Sequence, residues 1–220
     1  MPRALRLAHR GDWRVAPENT LAAVAAALAN PGCDGLEFDV RGSREGIPVL
    51  LHDDTLDRVQ GRPGRPEALS IETLVAAGIP TLAEILAAAG PAPFLDVELK
   101  GEPVVGVIDV LEAARGPGLE RTVVSAFEPE TLAWVGAHRP AWPRWLNATD
   151  LGAPTLRLAA ELGCRGLSVE WHGIDAAGMA RARSAGLEVA AWTVRRRATA
   201  ARLERLGLVA ICVEAAALDG

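Results

Sequence analysis

Short apolar runs of strand length alternate with Ala-, Leu-, Glu- and Arg-rich stretches of helix length along the whole chain. Strand candidates are 4–9, 34–40, 47–52, 93–99, 121–125, 142–146, 166–170, 187–193 and 208–213. Helix candidates are 19–29, 70–77, 81–89, 103–114, 129–138, 154–163, 175–185 and 196–206. Such alternation predicts an α/β fold with a parallel sheet, either open and doubly wound or closed as a (β/α)₈ barrel. The link between 34–40 and 47–52 is too short for a crossover helix, so one of that pair is not a regular barrel strand. Setting 47–52 aside leaves eight strand–helix units, the number of a (β/α)₈ TIM barrel. Residues 53–69 are rich in Gly, Pro, Arg and Asp and read as a short irregular loop. A TIM barrel typically takes about 250 residues. The 220 residues here imply brief connections and a reduced last helix, with 1–220 forming a single domain.

The helix starts carry local signals. Asn19 is expected to cap the first helix, with Ala22 and Ala26 on its inner face. Thr81 with Glu84 fits a capping box. Pro129 and Pro154 fall near first helical turns.

Composition excludes several classes. About half of the residues are hydrophobic, so the chain can bury a full core. A net charge of −5 argues against a nucleic-acid partner. No segment approaches the roughly 20 uninterrupted apolar residues of a membrane helix, so no stable membrane insertion is expected. The start MPRALRLAHRGDW lacks the apolar core of a secretory signal, which makes the cytoplasm the expected location. Cys33, Cys164 and Cys212 show no CxxC spacing and read as small buried hydrophobes in a reducing compartment. Six Trp stand beside three Phe and no Tyr, so the positions of the Trp are informative.

Charged residues within largely apolar strands point to chemistry. His9–Arg10 follow the first run, and His52 ends the third, ahead of Asp53 and Asp54. Glu37 and Asp39 alternate with Leu36, Phe38 and Val40; Asp96, Glu98 and Lys100 alternate with Val97 and Leu99. Period-two geometry puts each polar set on one strand face. The apolar face must meet helices, which turns Glu37, Asp39, Glu98 and Lys100 into the barrel. Several carboxylates there cannot lose water cheaply and call for a divalent cation with oxygen ligands. Two His near a hard cation and an Arg suit phosphate-ester cleavage. The cation polarises phosphoryl oxygens, Arg10 can bind them in a fork, and the two His can serve the two oxygens that change protonation.

With these residues in place, the sequence resembles the glycerophosphodiester phosphodiesterase family. AHRG (8–11), PENT (17–20), LEFDV (36–40), EG (45–46), PVLLHDDTLDR (48–58), IPTLAEIL (79–86) and DVELK (96–100) follow the family's order. VVSAFEPETL (123–132) and AAWTV (190–194) come later. The resemblance implies a TIM barrel, Mg²⁺ or Ca²⁺, and hydrolysis of a small-molecule glycerophosphodiester to sn-glycerol 3-phosphate and an alcohol. By position it makes His9 and His52 the acid/base pair and Glu37, Asp39 and Glu98 the metal ligands. Arg10 binds phosphate, Lys100 adds positive charge there, and Glu18 lines the site. It further implies that the substrate's own glycerol hydroxyl attacks first, giving a cyclic phosphate that water opens. Two positions depart from the pattern. Arg195 replaces the usual Asn after WTV, and the last strand runs into VEAAALDG in place of a Thr-Asp-x-Pro-like turn, with Glu214 standing where the Asp would be.

Trp192, at a strand end, is expected to wall the glycerol or alcohol moiety, and Phe127 in SAFEP to share that wall. Trp13 and Trp171 either join it or pack the rim, whereas Trp134, Trp142 and Trp145 are expected to pack. Asp53 and Asp54 either orient His52 or cap their loop. Glu170 is either a pocket contact or structural, His172 a surface loop residue, and His138 a helix-end residue without function. Two other functions compete: a lyso-phospholipase D, which would want an apolar membrane-facing rim, and a barrel that binds a phosphorylated ligand without turnover.

Overall fold

A computed structural model describes residues 3–219. Among the described residues nine strands form: β1 Leu5–His9, β2 Gly35–Gly42, β3 Pro48–Leu50, β4 Phe94–Leu99, β5 Thr122–Ala126, β6 Arg144–Ala148, β7 Gly166–Glu170, β8 Glu188–Val194 and β9 Ala210–Val213. Eight of them pair in parallel in the order β1, β2, β4, β5, β6, β7, β8, β9, and β9 returns to β1 to close the barrel. The ninth, β3, runs antiparallel to the end of β2, with Val40 opposite Leu50. It occupies the flank of β2 beyond its last pairing with β1, at Glu37. The 47–52 segment is thus a hairpin arm outside the barrel.

The helices are α1 Leu21–Leu28, α2 Asp57–Gln60, α3 Ile71–Ala76, α4 Leu82–Ala89, α5 Gly106–Arg115, α6 Pro129–His138, α7 Ala153–Glu161, α8 Ala176–Ser184 and α9 Arg197–Arg205. A 3₁₀ turn, Ala215–Ala217, follows β9. Among the described residues, no helix is long and apolar enough to cross a membrane.

Local expectations are corrected at five places. Thr20 caps α1, accepting from Ala23 N, while Asn19 takes a left-handed backbone (φ 58) and turns inward. The inner face of α1 is Ala23, Val24 and Ala27, and Ala22 is exposed. Loop 53–69 contains α2 and a 3₁₀ turn over Pro66–Ala68. Strand 142–146 shifts to Arg144–Ala148, and helix 103–114 begins only at Gly106. The Thr81–Glu84 capping box forms with both of its hydrogen bonds.

Strand alternation divides the apolar residues into two layers. Leu36, Phe38, Val97 and Leu99 face outward to Val24, Ile85 and Val107 of the helices. Leu7, Val123, Trp145, Ala190, Ala210 and Cys212 fill the barrel floor. Trp145 is its largest plug; it stacks on Phe94 with centroids 6.0 Å apart, and its indole N–H donates to Glu188 Oε1 at 2.7 Å. Burying each such large side chain contributes about 1.5–3 kcal/mol. Above this apolar floor, the same inward-facing positions turn polar.

Candidate active site

Register builds the site. In the β2–β4 ladder Glu37 pairs with Asp96 and Asp39 with Glu98, and in the β1–β2 ladder His9 pairs with Glu37. Four carboxylates therefore stack inside the mouth of the barrel, all buried. Glu37, Asp39 and Glu98 each bring one oxygen to within 4.8 Å of the other two. Lys100 Nζ lies 2.6 Å from Glu98 Oε1 and 3.3 Å from Asp39 Oδ1. The guanidinium Nε of Arg10 lies 3.0 Å from Asp39 Oδ2.

Titration of these groups follows from their neighbours. Burial, followed by repulsion from Asp39 and Glu98, drives Glu37 well above the usual carboxylate range. Burial and Asp39 push Glu98 up to about 7, against the pull of Lys100. Burial likewise lifts Asp96 to about 7, although Ser125 donates to it at 2.6 Å. Asp39 goes the other way: burial would raise it, but Arg10 and Lys100 outweigh that and keep it ionised. Two fixed cations are too few for this many carboxylates. Glu37 Oε2 and Asp39 Oδ1 are buried without a hydrogen-bond partner. Orphaned, hard oxygen donors converging on one point fit a divalent cation.

Each histidine is held the same way. His9 Nδ1 lies 2.5 Å from Glu214 Oε1, and Arg195 Nε donates to Glu214 Oε2 at 2.7 Å. Its other nitrogen, Nε2, lies 3.7 Å from Glu37 Oε2. His52 Nδ1 lies 2.7 Å from Asp53 Oδ1, and Arg58 Nε donates to Asp53 Oδ2 at 2.6 Å. Burial, with help from Arg10 and Lys100, lowers the His52 pKa despite Asp39 and Asp53. Arg58 also clamps Glu18, which in turn accepts from Arg10 Nη1 at 3.0 Å. An unbroken chain of charges thus joins Asp39, Arg10, Glu18, Arg58, Asp53 and His52.

Phe127 and Trp192 meet edge to face, with centroids 5.5 Å apart, and Lys100 Nζ lies 5.5 Å from the Phe127 ring. The Trp192 indole donates to Ser168 O at 2.9 Å, which fixes its plane. Both aromatics line the narrow cavity that also holds His9, Glu37, Asp96 and Glu98. His9, Arg10, Glu18, Glu37, Asp39, His52, Glu98, Lys100, Phe127 and Trp192 all stand on strands or loops at this mouth of the barrel. A wider cleft between α4 and α5 on the outer wall has Asp109 as its one charged lining residue, which gives it no acid–base set.

Several residues escaped the sequence reading. Asn19 reaches inward, and its Nδ2 donates to Asp39 Oδ2 at 2.9 Å. Arg41 donates twice to the His52 carbonyl, from Nε and Nη2. Arg58 lies in a loop without periodicity, so nothing local marks it. Asn147 lines the same cavity with an unpartnered buried Oδ1; its period-two relation to Trp145 on β6 was the available signal. Of the two aspartates with open readings, Asp53 contacts His52 Nδ1, whereas Asp54 pairs with Arg65. Glu170 accepts from His172, and the exposed His172 ring lies against Trp171. Trp142 and Trp145 are buried, as packing requires.

The fold agrees with that of known proteins the chain resembles. The profile of the glycerophosphoryl diester phosphodiesterase family matches residues 9–218, nearly the whole chain. The chain belongs to that family. It is therefore an enzyme of the phosphodiesterase class. A glycerophosphodiester phosphodiesterase of Caldanaerobacter subterraneus is 30% identical over 189 residues, covering 77% of this chain and 71% of that one. The human glycerophosphodiester phosphodiesterase 1 is 47% identical over 68 residues, which are 31% of this chain and 20% of the human protein. Among solved structures, an Oleispira antarctica phosphodiesterase in complex with the product sn-glycerol-3-phosphate superposes with a TM-score of 0.85 at 27% identity, covering 96% of this chain and 93% of that one. The Thermotoga maritima glycerophosphodiester phosphodiesterase shares the fold, with a TM-score of 0.82 at 19% identity over 100% of this chain and 97% of that one.

Proposed function

We propose that this family member hydrolyses a small glycerophosphodiester to sn-glycerol 3-phosphate and an alcohol. Glu37, Asp39 and Glu98 would hold a divalent cation, Mg²⁺ or Ca²⁺, and His9 and His52 would carry the protons. The observation behind this reading is the convergence of three buried carboxylate oxygens beside two imidazoles, each imidazole already held at Nδ1. When bound, the cation supplies Lewis-acid polarisation of the phosphoryl oxygens and makes an attacking hydroxyl easier to deprotonate.

The chain's own groups do the rest. Arg10 is tied through Nε and Nη1, which leaves Nη2 for a phosphate oxygen. Lys100 keeps its charge, because Asp39 and Glu98 outweigh its burial, and it adds a second positive centre. One histidine accepts the proton of the attacking hydroxyl through Nε2. The other donates a proton to the leaving oxygen, so that both oxygens end in their stable protonation states. With the glycerol hydroxyl as first nucleophile, water then opens the cyclic phosphate and the two histidines exchange roles. Phe127 and Trp192 give the carbon skeleton an apolar wall, and Glu18 fixes Arg10 from behind.

In this reading residues 1–220 work as one catalytic domain. The three unpaired cysteines fit a reducing compartment, so we place the enzyme in the cytoplasm. The test is incubation with glycerophosphocholine and either Mg²⁺ or Ca²⁺, followed by a coupled assay for glycerol 3-phosphate. Product release is expected. Its absence with every divalent metal overturns the reading.

A further inference from the structure

Arg195, just after β8, and Glu214, just after β9, meet in space. The Glu214 N–H donates to Val194 O at 2.9 Å, so the pairing of β8 with β9 continues to the rim and sets Glu214 beside Arg195. The Glu214 carboxylate is buried, and each of its oxygens has one partner: His9 Nδ1 on Oε1 and Arg195 Nε on Oε2. The next residue, Ala215, takes a left-handed backbone (φ 50), a conformation that a Cβ disfavours. The chain turns sharply here without a glycine, and the carboxylate is delivered to His9.

We propose that Glu214, clamped by Arg195, is the positioning residue for His9. A neutral imidazole carries its proton on either nitrogen. Donating Nδ1–H to Glu214 leaves the lone pair on Nε2, the nitrogen 3.7 Å from Glu37 Oε2 and therefore the one beside the carboxylate cluster. Arg195 holds the far oxygen of Glu214, which stops the carboxylate from rotating off the ring. The pair Asp53–Arg58 does the same for His52 from a different loop. Two unrelated segments thus supply one arrangement, a His held by a carboxylate held by an Arg. The role assigned to Glu214 rests on His9 being a proton carrier, as proposed above.

The test reads the His9 ring directly, in the full chain and without substrate. Long-range ¹⁵N–¹H spectra, assigned by the loss of signal in His9→Gln, are recorded where the ring is neutral. The wild type is expected to show the Nδ1–H tautomer. Glu214→Ala is expected to shift it largely to Nε2–H, with the His138 signals unchanged as the check on folding. A wild-type Nε2–H tautomer, or an unchanged tautomer in Glu214→Ala, overturns the proposal. Kinetics supply the second arm. Glu214→Ala is expected to lower kcat by about tenfold or more with little change in KM, the usual scale for a group behind a functional residue. In a His9→Ala background the same substitution should add almost nothing, because the two act as one unit; losses that multiply contradict it. Arg195 is on the surface, so Arg195→Gln tests the clamp without risk to the fold, with a smaller loss of kcat expected and an unchanged kcat rejecting the clamp. A wild type that turns over no substrate counts against the proposed reaction, and the tautomer comparison still decides the role of Glu214.

Discussion

Asp39 and Glu98 are direct register partners across β2 and β4, and the single ammonium of Lys100 lies against both carboxylates. Glu37 and Asp96 form the rung below. Parallel pairing stacks like charges in this way whenever adjacent strands carry acids at matching positions. Burial in the barrel mouth strengthens their repulsion, which a bound cation would relieve in the proposed reading.

Cation binding should release protons. Burial and mutual repulsion raise Glu37 and lift Glu98 to about 7, so near pH 6 Glu98 is largely protonated in the cation-free fold and Glu37 is shifted in the same direction. A cation needs them ionised, so its affinity should rise as pH rises from about 5.5 to 8. The stability of the cation-free chain runs the other way. Its raised carboxyls bind more protons folded than unfolded, so their contribution to stability falls as pH rises from about 4.5 through 7, while the lowered His52 contributes with the opposite sign. Calorimetric titration with Mg²⁺ or Ca²⁺ in buffers of different ionisation enthalpy measures the protons released. A pH-independent affinity with no protons released would contradict this electrostatic state.

Asn19 should matter for stability more than an ordinary loop residue. It donates to a buried carboxylate and occupies the left-handed region. Asn19→Ala loses a hydrogen bond to a charged acceptor, about 1.5–3 kcal/mol, and adds about 1 kcal/mol of backbone strain. Asn19→Gly loses only the bond, so it should be the less destabilised of the two. Urea denaturation of both variants separates the two contributions.

Thr81→Ala should cost about 1 kcal/mol of stability, because the cap of α4 is lost. Turnover should stay at the wild-type level, since α4 lies on the outer wall and carries no residue of the site. The pair of measurements shows that a loss of stability of this size does not by itself mimic a loss of chemistry.

His9→Ala and His52→Ala should each lower turnover by about 10²-fold or more, the scale of acid–base catalysis. Cation affinity should change far less, because neither ring belongs to the carboxylate set. A near-normal rate in either variant removes that histidine from its role.

Much of this was legible in the sequence because it depends on period and order. Alternation along 34–40 and 93–99 already put Glu37, Asp39, Glu98 and Lys100 on one face, and the count of strand–helix units gave the barrel. What escaped depends on backbone geometry and on contacts between distant segments. Asn19 looked like a helix cap because caps and left-handed turns favour the same residue type. Arg58 bridges Glu18 and Asp53 from a loop whose path no local pattern determines. Arg195 and Glu214 were visible as departures, but their meeting needed the closure of β8 on β9.

The most direct test is the rate of glycerol 3-phosphate release as a function of free divalent metal, for the wild type and for Glu37→Gln. The account predicts that the wild type loses its activity in EDTA and recovers it in a saturating curve with Mg²⁺ or Ca²⁺. Glu37→Gln should recover only at about tenfold or higher metal concentration, since it gives up one of three anionic ligands. Product release undiminished by EDTA, or a Glu37→Gln curve that overlays the wild type, would contradict it.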